Sequence, residues 1–362
     1  MCTVFSAATA SRSRAAVRPP RAIARIRILR AAWMTYALCA LSLQPKPLAC
    51  GKMMETIARD HPRPQRRSQS REAMVQEHDE MRWDPIAMRD LARLELRPEE
   101  LESALRSALA NGEMIAMFQP QVRLPERRLR GFEVLVRWRH PRFGLLRPQR
   151  FIRLAERCAV AADLDLFALD QAAVFLHRLG ARMPEELIIA VNASPRGAGE
   201  EEYAERAAAM ARELLPGGTH LVVEVTERSP ISAWRRSLRN LRRLKAAGVR
   251  VAIDDFGSGY ASFGVVKRLQ LDEIKIDRML VRDTDPESAA ILTAILEMAR
   301  ALGVDVVAEG VENAAQHQLL VALGCPAAQG FYYARPLPLA EAVTFVAESC
   351  ARENGWRVPA CV

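Results

Sequence analysis

The sequence predicts an α/β fold, a modified TIM (β/α)8 barrel whose first strand is antiparallel to the others. Two observations carry this prediction. Eight strand-like runs recur along about 250 residues, which is the length typical of such barrels, and amphipathic helical segments separate most of them. The one connection that is too short for a helix lies between the first two runs.

The strand-like runs are short, apolar and rich in β-branched residues. They are Met114–Gln119, Gly131–Trp138, Leu187–Val191, His220–Val225, Arg250–Asp254, Glu273–Ile276, Asp305–Ala308 and Gly330–Tyr333. Eleven residues, including Pro125, separate Gln119 from Gly131. Parallel neighbours need a longer crossover, so we expect a hairpin here, and a helix between residues 120 and 130 would refute it.

Two predicted helices illustrate the helical segments, one before the first strand and one between two later strands. Pro98 is suited to a first helical turn, and the pair Asn111-Gly112 is suited to a helix end. Residues 288–302 form a second helical segment, for which we expect Ile291, Ile295 and Met298 to share the buried face and Gly303 to end the helix.

Charge divides the chain into unequal parts. Residues 1–71 hold 14 Lys or Arg and 2 acidic residues, whereas the remainder holds 38 basic and 41 acidic residues. We therefore expect a basic, mostly disordered tail over residues 1–80, a linker over 81–99, the barrel over 100–348 and a C-terminal tail over 349–362. The barrel is mildly acidic, so we do not expect it to bind a nucleic-acid duplex directly.

The tail has three interpretations. It is a disordered basic segment, an amphipathic surface anchor, or upstream sequence that is not translated, since Met53, Met54, Met74 and Met81 offer later starts. Its apolar run Ala31–Leu43 is too short to span a membrane. The seven cysteines are scattered and odd in number, which fits a reducing compartment and a cytoplasmic location.

The pair Asp254-Asp255 is the strongest chemical signal. It ends an apolar strand and precedes a glycine-containing turn. Two adjacent carboxylates at the end of a buried strand repel each other unless a cation lies between them. A divalent metal such as Mg2+ takes carboxylate oxygens, although an acidic turn is the simpler explanation for this pair alone.

Similar polar residues stand at the ends of the other strands, where barrel enzymes collect their catalytic groups. They are Glu133, Asn192, Glu224, Glu227, Lys275, Glu309 and Gln329. Taken singly, each has an ordinary explanation as a turn or surface residue; together they are unusual, because unpaired buried charges are rare.

The same set suggests a chemistry. Asn192, Glu224 and Asp254 can supply oxygens to one cation with Glu133 as a fourth ligand, and Asp255 can reach a second cation. Lys275 can orient or deprotonate a water molecule or offset phosphate charge. The pattern is typical of phosphodiester hydrolysis.

Nine collinear blocks then resemble a known family. They are FQPQV, GFEVLVRWRHP, FIRLAE, VNAS, EVTE, DDFGSGYASF, LDEIKID, AEGVE and QGFYYARPLP, spread over about residues 100–345. In order and spacing they are similar to the EAL domain, the bacterial cyclic di-GMP phosphodiesterase. The resemblance implies hydrolysis of cyclic di-GMP to linear pGpG with Mg2+ or Mn2+ at a two-metal site.

Residue roles follow from the resemblance by motif position. It implies metal ligation by Glu133, Asn192, Glu224, Asp254, Asp255 and Glu309. The catalytic group that it implies comprises Lys275, Glu309, Glu133 and Gln329. The substrate contacts that it implies are Gln119 and Arg137, and Glu227 resembles the anchor of the loop that follows Asp255.

Two departures from the family pattern stand out. The Glu-Ala-Leu signature is Glu133-Val134-Leu135 here, and Val134 should point away from Glu133 on a strand. The loop after Asp255 continues as Ala261-Ser262-Phe263 instead of a serine pair and leucine. No acidic member of the set is lost, so we expect an active enzyme.

Other functions remain open. The chain can instead be a catalytically weak or inactive cyclic di-GMP-binding regulator that controls gene expression through a protein partner. A homodimer is also possible. An unrelated metal-dependent barrel of the enolase kind depends on fold analogy alone.

Overall fold

The computed structural model describes residues 98–148, 151–156, 158–184, 186–213, 219–226, 237–257 and 270–350. The chain divides into two units, residues 1–82 and 83–362, and every described residue belongs to the second. The predictions for the tail, for most of the linker, for residues 351–362 and for Glu227 therefore lie outside the described residues.

Ten strands form one sheet that closes into a barrel. They are β1 (Met114–Arg123), β2 (Arg128–His140), β3 (Gly144–Leu146), β4 (Ile188–Ala193), β5 (His220–Thr226), β6 (Arg250–Phe256), β7 (Glu273–Ile276), β8 (Asp305–Ala308), β9 (Ala327–Gln329) and β10 (Leu337–Pro338). The sheet order is β10-β1-β9-β8-β7-β6-β5-β4-β2-β3, and the pairing of β1 with β2 closes the circle of eight. The predicted barrel class is confirmed.

The direction of β1 also agrees with the prediction. β1 pairs antiparallel with β2 on one side and with β9 on the other, whereas the other barrel strands pair in parallel. Residues 120–130, all of them described, contain no helix. A hairpin connects β1 to β2, as the short connection requires.

Helices cover the outside of the barrel. They are α1 (Pro98–Asn111), α2 (Ile152–Ala155), α3 (Val160–Leu179), α4 (Glu201–Glu213), α5 (Ser237–Ala246), α6 (Arg278–Arg282), α7 (Pro286–Leu302), α8 (Ala314–Ala322) and α9 (Leu339–Cys350). The main core lies between these helices and the outward side chains of the strands, such as Phe132 and Val134. Among the described residues, no helix is long and apolar enough to cross a membrane.

Helix α7 corrects one prediction. Asp285 caps its start by accepting from the backbone N–H groups of Glu287 and Ser288, and Gly303 ends it in the left-handed conformation, as expected. Ile291, however, is exposed, while Leu292 is buried. The predicted buried face is therefore turned by one residue, since the neighbouring position is also a large aliphatic side chain and the pattern does not distinguish the two.

The last barrel strand corrects another. The prediction placed it at Gly330–Tyr333, but β9 is Ala327–Gln329 and the aromatic residues after it form a turn in which Gly330 O accepts from the N–H groups of Tyr333 and Ala334. A side chain at Gly330 would collide with the backbone of Val311. The aromatic run thus forms a turn in which Tyr333 is buried, and Gln329 ends the strand instead of preceding it.

Candidate active site

Strand alternation brings the predicted site residues to the inside of the barrel. Side chains two residues apart share a face of a strand, and Glu133 lies opposite Gln119 in the β1–β2 register while Asn192 lies opposite Glu224 in the β4–β5 register. Several inward positions nearer the other end carry small or apolar groups, among them Ala190. The predicted polar set lies at the C-terminal ends of the parallel strands.

Lys275 is the centre of the site. Its side chain is fully buried, and its Nζ lies 2.7 Å from Glu224 Oε2, 2.6 Å from Glu309 Oε1, 3.2 Å from Asp254 Oδ1 and 3.3 Å from Glu133 Oε2. Four carboxylates from β2, β5, β6 and the end of β8 thus surround one ammonium group from β7. When all are ionised, the cluster carries a large excess of negative charge.

This crowding moves the pKa values of the group. Burial alone would lower the pKa of Lys275, but the surrounding carboxylates, with Asp254 first, raise it well above its usual value. Burial and neighbouring carboxylates raise the pKa values of Glu224 and Glu309 well above the usual range, against the effect of Lys275. Among the described residues, Lys275 is the one cation that pairs with these acids.

Glu133 differs from Glu224 and Glu309 in the direction of its pKa shift, because hydrogen-bond donors lie on both sides of its carboxylate. Asn192 Nδ2 donates to its Oε1 at 2.9 Å, and Gln329 Nε2 donates to its Oε2 at 2.6 Å. Burial would raise its pKa, but Lys275 together with these two amides lowers it. Gln329 Nε2 also lies within hydrogen-bond distance of Gln119 Oε1, at 3.2 Å.

The two adjacent aspartates reach the same place through a local break in β6. In a regular strand their side chains would point to opposite faces. Asp255 has a φ of 57°, in the left-handed region, and the β6–β7 register shifts between Ile253 and Phe256. One carboxylate oxygen each of Asp254, Asp255 and Glu309 consequently lies within 4.8 Å of the others, a spacing suitable for one metal ion.

The donor set fits a hard divalent cation. Its oxygens come from carboxylates, which Mg2+ and Mn2+ prefer. Glu224 Oε1 is buried and has no hydrogen-bond partner among the described residues. An unpaired buried carboxylate oxygen costs free energy of folding, and a bound metal ion would give it a partner.

The two residues predicted to contact the substrate, Gln119 and Arg137, are both buried. Gln119 is buried next to the cluster, and its Nε2 approaches Ala334 O at 3.4 Å. Arg137 follows Glu133 on the same face of β2 and donates to Val136 O at 2.9 Å. Burial first, and then the nearby Arg147, lower the pKa of Arg137 to about 10 against the effect of Glu133. The guanidinium remains cationic at neutral pH.

Comparison with known proteins decides the family. The model of the EAL domain matches residues 102–336, which is well over half of the chain and includes the whole described site. The chain belongs to the EAL-domain family.

Individual relatives agree. The chain is 36% identical over 256 residues to cyclic di-GMP phosphodiesterase RocR of Pseudomonas aeruginosa, covering 68% of this chain and 65% of that protein. It is 34% identical over 251 residues to the probable cyclic di-GMP phosphodiesterase PdeG of Escherichia coli, covering 69% of this chain and 49% of the relative. The chain thus spans about half to two thirds of the length of these relatives.

Solved structures give the same result. A structure titled as the PaMucR phosphodiesterase in complex with c-di-GMP has 37% identity and a TM-score of 0.59, covering 67% of this chain and 99% of the other. An EAL domain protein from Listeria monocytogenes has 27% identity and a TM-score of 0.57, covering 70% and 99%. The fold of this EAL domain is therefore shared across its length.

The structure brings together all but one of the predicted site residues. Glu133, Glu224, Asp254 and Glu309 contact Lys275, and the amides flank Glu133. Glu227 belongs to residues 227–236, outside the described residues, so its loop-anchoring role stays a prediction.

Three buried polar residues next to the EAL-domain site do not belong to the predicted set: Gln121, Arg130 and Glu273. Gln121 is two residues after Gln119 and shares its inward face, a signal that was available from strand alternation. Glu273 likewise precedes Lys275 by two positions. Arg130 gave no such signal, because alternation would place it outside the barrel.

Proposed function

We propose that this chain hydrolyses cyclic di-GMP to linear pGpG. In this reaction one water molecule adds across one phosphodiester bond: its oxygen bonds to phosphorus, and the departing ribose oxygen takes up a proton. The observation that carries the proposal is the buried cluster of four carboxylates around Lys275 at the barrel mouth. Membership of the EAL-domain family supports the choice of substrate.

The proposed cofactor is a pair of Mg2+ or Mn2+ ions. Glu133, Asn192, Glu224 and Asp254 are the proposed ligands of one ion, and Asp255 would serve the second. Glu309 is proposed as a further metal ligand that also pairs with Lys275. The unpaired Glu224 Oε1 supports the first ion, and the close spacing of Asp254, Asp255 and Glu309 supports an ion beside Asp255. Divalent ions in such a site neutralise phosphate charge and make water a better nucleophile.

The remaining site residues orient water, hold Glu133 and bind the substrate. The Nζ of Lys275 lies within 3.3 Å of carboxylate oxygens of four acidic residues, and we assign to Lys275 the orientation of water and the offsetting of charge. Gln329 holds Glu133 in place. Gln119 and Arg137 are the proposed substrate contacts, and the cationic guanidinium of Arg137 suits a phosphate oxygen.

Location and partners belong to the same proposal. A cytoplasmic location fits the scattered cysteines of the sequence and an intracellular nucleotide substrate. A homodimer and a regulatory protein partner remain compatible with the fold. None of the site residues described above requires a second copy of the chain, so we expect the site to be complete within one chain.

Turnover by the purified full chain tests the proposal. Cyclic di-GMP is incubated with Mn2+ and the products are separated by chromatography; we expect pGpG, and none in EDTA. Glu133→Ala should abolish turnover without unfolding the barrel, since it removes a ligand and a partner of Lys275. Glu186→Ala, which removes an exposed carboxylate paired with Arg123, is the matched control and should retain full activity.

Each outcome has a clear meaning. Near-full activity of Glu133→Ala would contradict the ligand assignment. Tight binding of cyclic di-GMP without any product would contradict hydrolysis and indicate the regulator function instead.

A further inference from the structure

A line of buried polar side chains continues from Glu133 through the barrel interior to its opposite rim. Arg130 Nη1 donates to Gln121 Oε1 at 2.9 Å, Gln121 Nε2 donates to Gln329 Oε1 at 3.0 Å, and Gln329 Nε2 donates to Glu133 Oε2 at 2.6 Å. Gln121 and Gln329 are direct partners in the β1–β9 register. We call these four residues the polar line.

The polar line is enclosed. Gln121 has no exposed surface, Arg130 is 3% exposed, and Gln329 and Glu133 are each 5% exposed. Bulk water therefore cannot replace a missing partner, and each hydrogen bond in the line constrains the next.

The line has a direction that Arg130 sets. A guanidinium only donates hydrogen bonds, and a glutamine amide has one accepting end and one donating end. Because Arg130 donates to Gln121, the amide NH2 of Gln121 must face Gln329. The oxygen of Gln329 is then occupied, so its NH2 group faces Glu133, whose carboxylate only accepts.

A second ion holds Arg130 at its end of the line. Its Nη2 is paired with Glu273, which is fully buried, and lies 3.8 Å from Asp305 Oδ2. Glu273 is two residues before Lys275 on β7, on the same inward face. Arg130 and Glu273 thus form a buried ion pair directly below the acidic cluster.

We propose that Arg130 is a positioning residue that acts through Gln121 and Gln329 to fix the orientation of Glu133 for metal binding. This role rests on the proposed function, because it concerns the carboxylate that we assign to the metal. Without Arg130 the Gln121 amide loses the donor that sets its direction and can turn its oxygen toward Gln329, whereas Glu133 and Gln119 still accept from Gln329 Nε2. Two amide oxygens that face each other repel, so Gln329 would shift and Glu133 would shift with it, away from the position that suits the metal.

Three variants of the full chain test this role. Arg130→Met/Glu273→Met removes the ion pair as a unit, which often leaves stability unchanged, and takes away the donor that orients Gln121. Gln121→Met breaks the line but keeps the ion pair. Arg130→Lys keeps a group that only donates and should restore the direction. Arg250→Met is the matched control, since Arg250 pairs with Asp305 at the same rim but does not belong to the line.

The primary readout is Mn2+ affinity, measured by calorimetry without substrate, with kcat, KM and the melting temperature beside it. We expect Arg130→Met/Glu273→Met and Gln121→Met to bind Mn2+ about fivefold more weakly, less than the about 10- to 100-fold typical of groups bonded directly to a ligand. The kcat should fall, the KM for cyclic di-GMP should stay within about twofold, and Arg130→Lys and Arg250→Met should behave as the unaltered chain.

The outcomes separate the two proposals. Unchanged Mn2+ affinity in folded Arg130→Met/Glu273→Met and in Gln121→Met would overturn the positioning role, and so would a loss of equal size in Arg250→Met. An unaltered chain that binds Mn2+ but does not hydrolyse cyclic di-GMP would contradict only the proposed function.

Discussion

Replacing Lys275 by methionine should destabilise the protein strongly when no metal is present. The substitution keeps most of the side-chain volume and removes only the ammonium group. That group is fully buried and lies 2.6–3.3 Å from carboxylate oxygens of four acidic residues. Without it, the acids repel each other in a largely buried site, and some of them must take up protons.

The expected magnitude follows from the cost of breaking a buried ion pair. Removing one partner costs about 3–5 kcal/mol, and for a domain of this size 1 kcal/mol corresponds to about 2–4 °C in melting temperature. In EDTA we therefore expect Lys275→Met to melt about 6–20 °C below the unaltered chain. Saturating Mn2+ should recover at least about half of this difference, since bound cations replace the lost positive charge. Turnover should remain absent.

Differential scanning calorimetry of both proteins in EDTA and in Mn2+ measures these effects. Lys245→Met is the control: Lys245 pairs with Asp272 at 2.7 Å, but both side chains are partly exposed, so the loss should be at most about 1 kcal/mol. A Lys275→Met protein as stable in EDTA as the unaltered chain would refute the reasoning. So would a deficit that Mn2+ leaves unchanged.

Three further predictions concern other parts of the chain. Asp255→Asn should keep the melting temperature, because asparagine tolerates the left-handed conformation, but it should lower metal-dependent turnover at least about tenfold. Asp255→Ala should lower turnover and also lose about 1–2 kcal/mol of stability. Equal stability of the two variants would contradict this prediction. Burial is the main cause that raises the pKa of Asp165 from 3.8 to about 7, against the hydrogen bonds from Ser194. Between about pH 4 and 7 the folded state therefore holds a proton that the unfolded state has lost, and the stability falls as the pH rises. Asp165→Asn, whose amide oxygen can still accept from Ser194, should remove this fall and be about 2–4 kcal/mol more stable at pH 8, as chemical denaturation over that pH range would reveal; an unchanged pH dependence would exclude the idea. Deleting residues 1–80 should leave turnover largely intact, since every assigned site residue lies downstream, and an inactive but folded truncation would show that the tail contributes to the enzyme.

Strand alternation explains why so much of the site could be predicted. Once Glu133, Glu224 and Lys275 are assigned to apolar strands, a barrel leaves them only two faces, and a charged side chain that does not face solvent must point inward with the others. The hairpin between β1 and β2 could also be predicted, because the length of their connection alone excludes a crossover helix.

The prediction was wrong for the last barrel strand. The run after Gln329 is aromatic, which is typical of a strand, but it forms a turn in which Tyr333 is buried. The true strand, Ala327–Gln329, is only three residues long. Its existence depends on pairing with β1 and β8 and not on its own propensity. A pattern within three residues cannot predict such pairing.

Arg130 marks the clearest limit of reasoning from alternation. Counting from Glu133, alternation assigns Arg130 to the outside of β2, yet the β1–β2 register passes from Gln121 opposite Gly131 to Val122 opposite Leu129, so Arg130 has no partner. This extra residue is a β-bulge, which re-aims a side chain. Gly131 beside it cannot carry a side chain, because one would collide with the backbone of Ile188. The guanidinium of Arg130 is buried and contacts Gln121 and Glu273. Since a bulge is a property of two paired strands, the polar line below Glu133 emerges only when the barrel is closed.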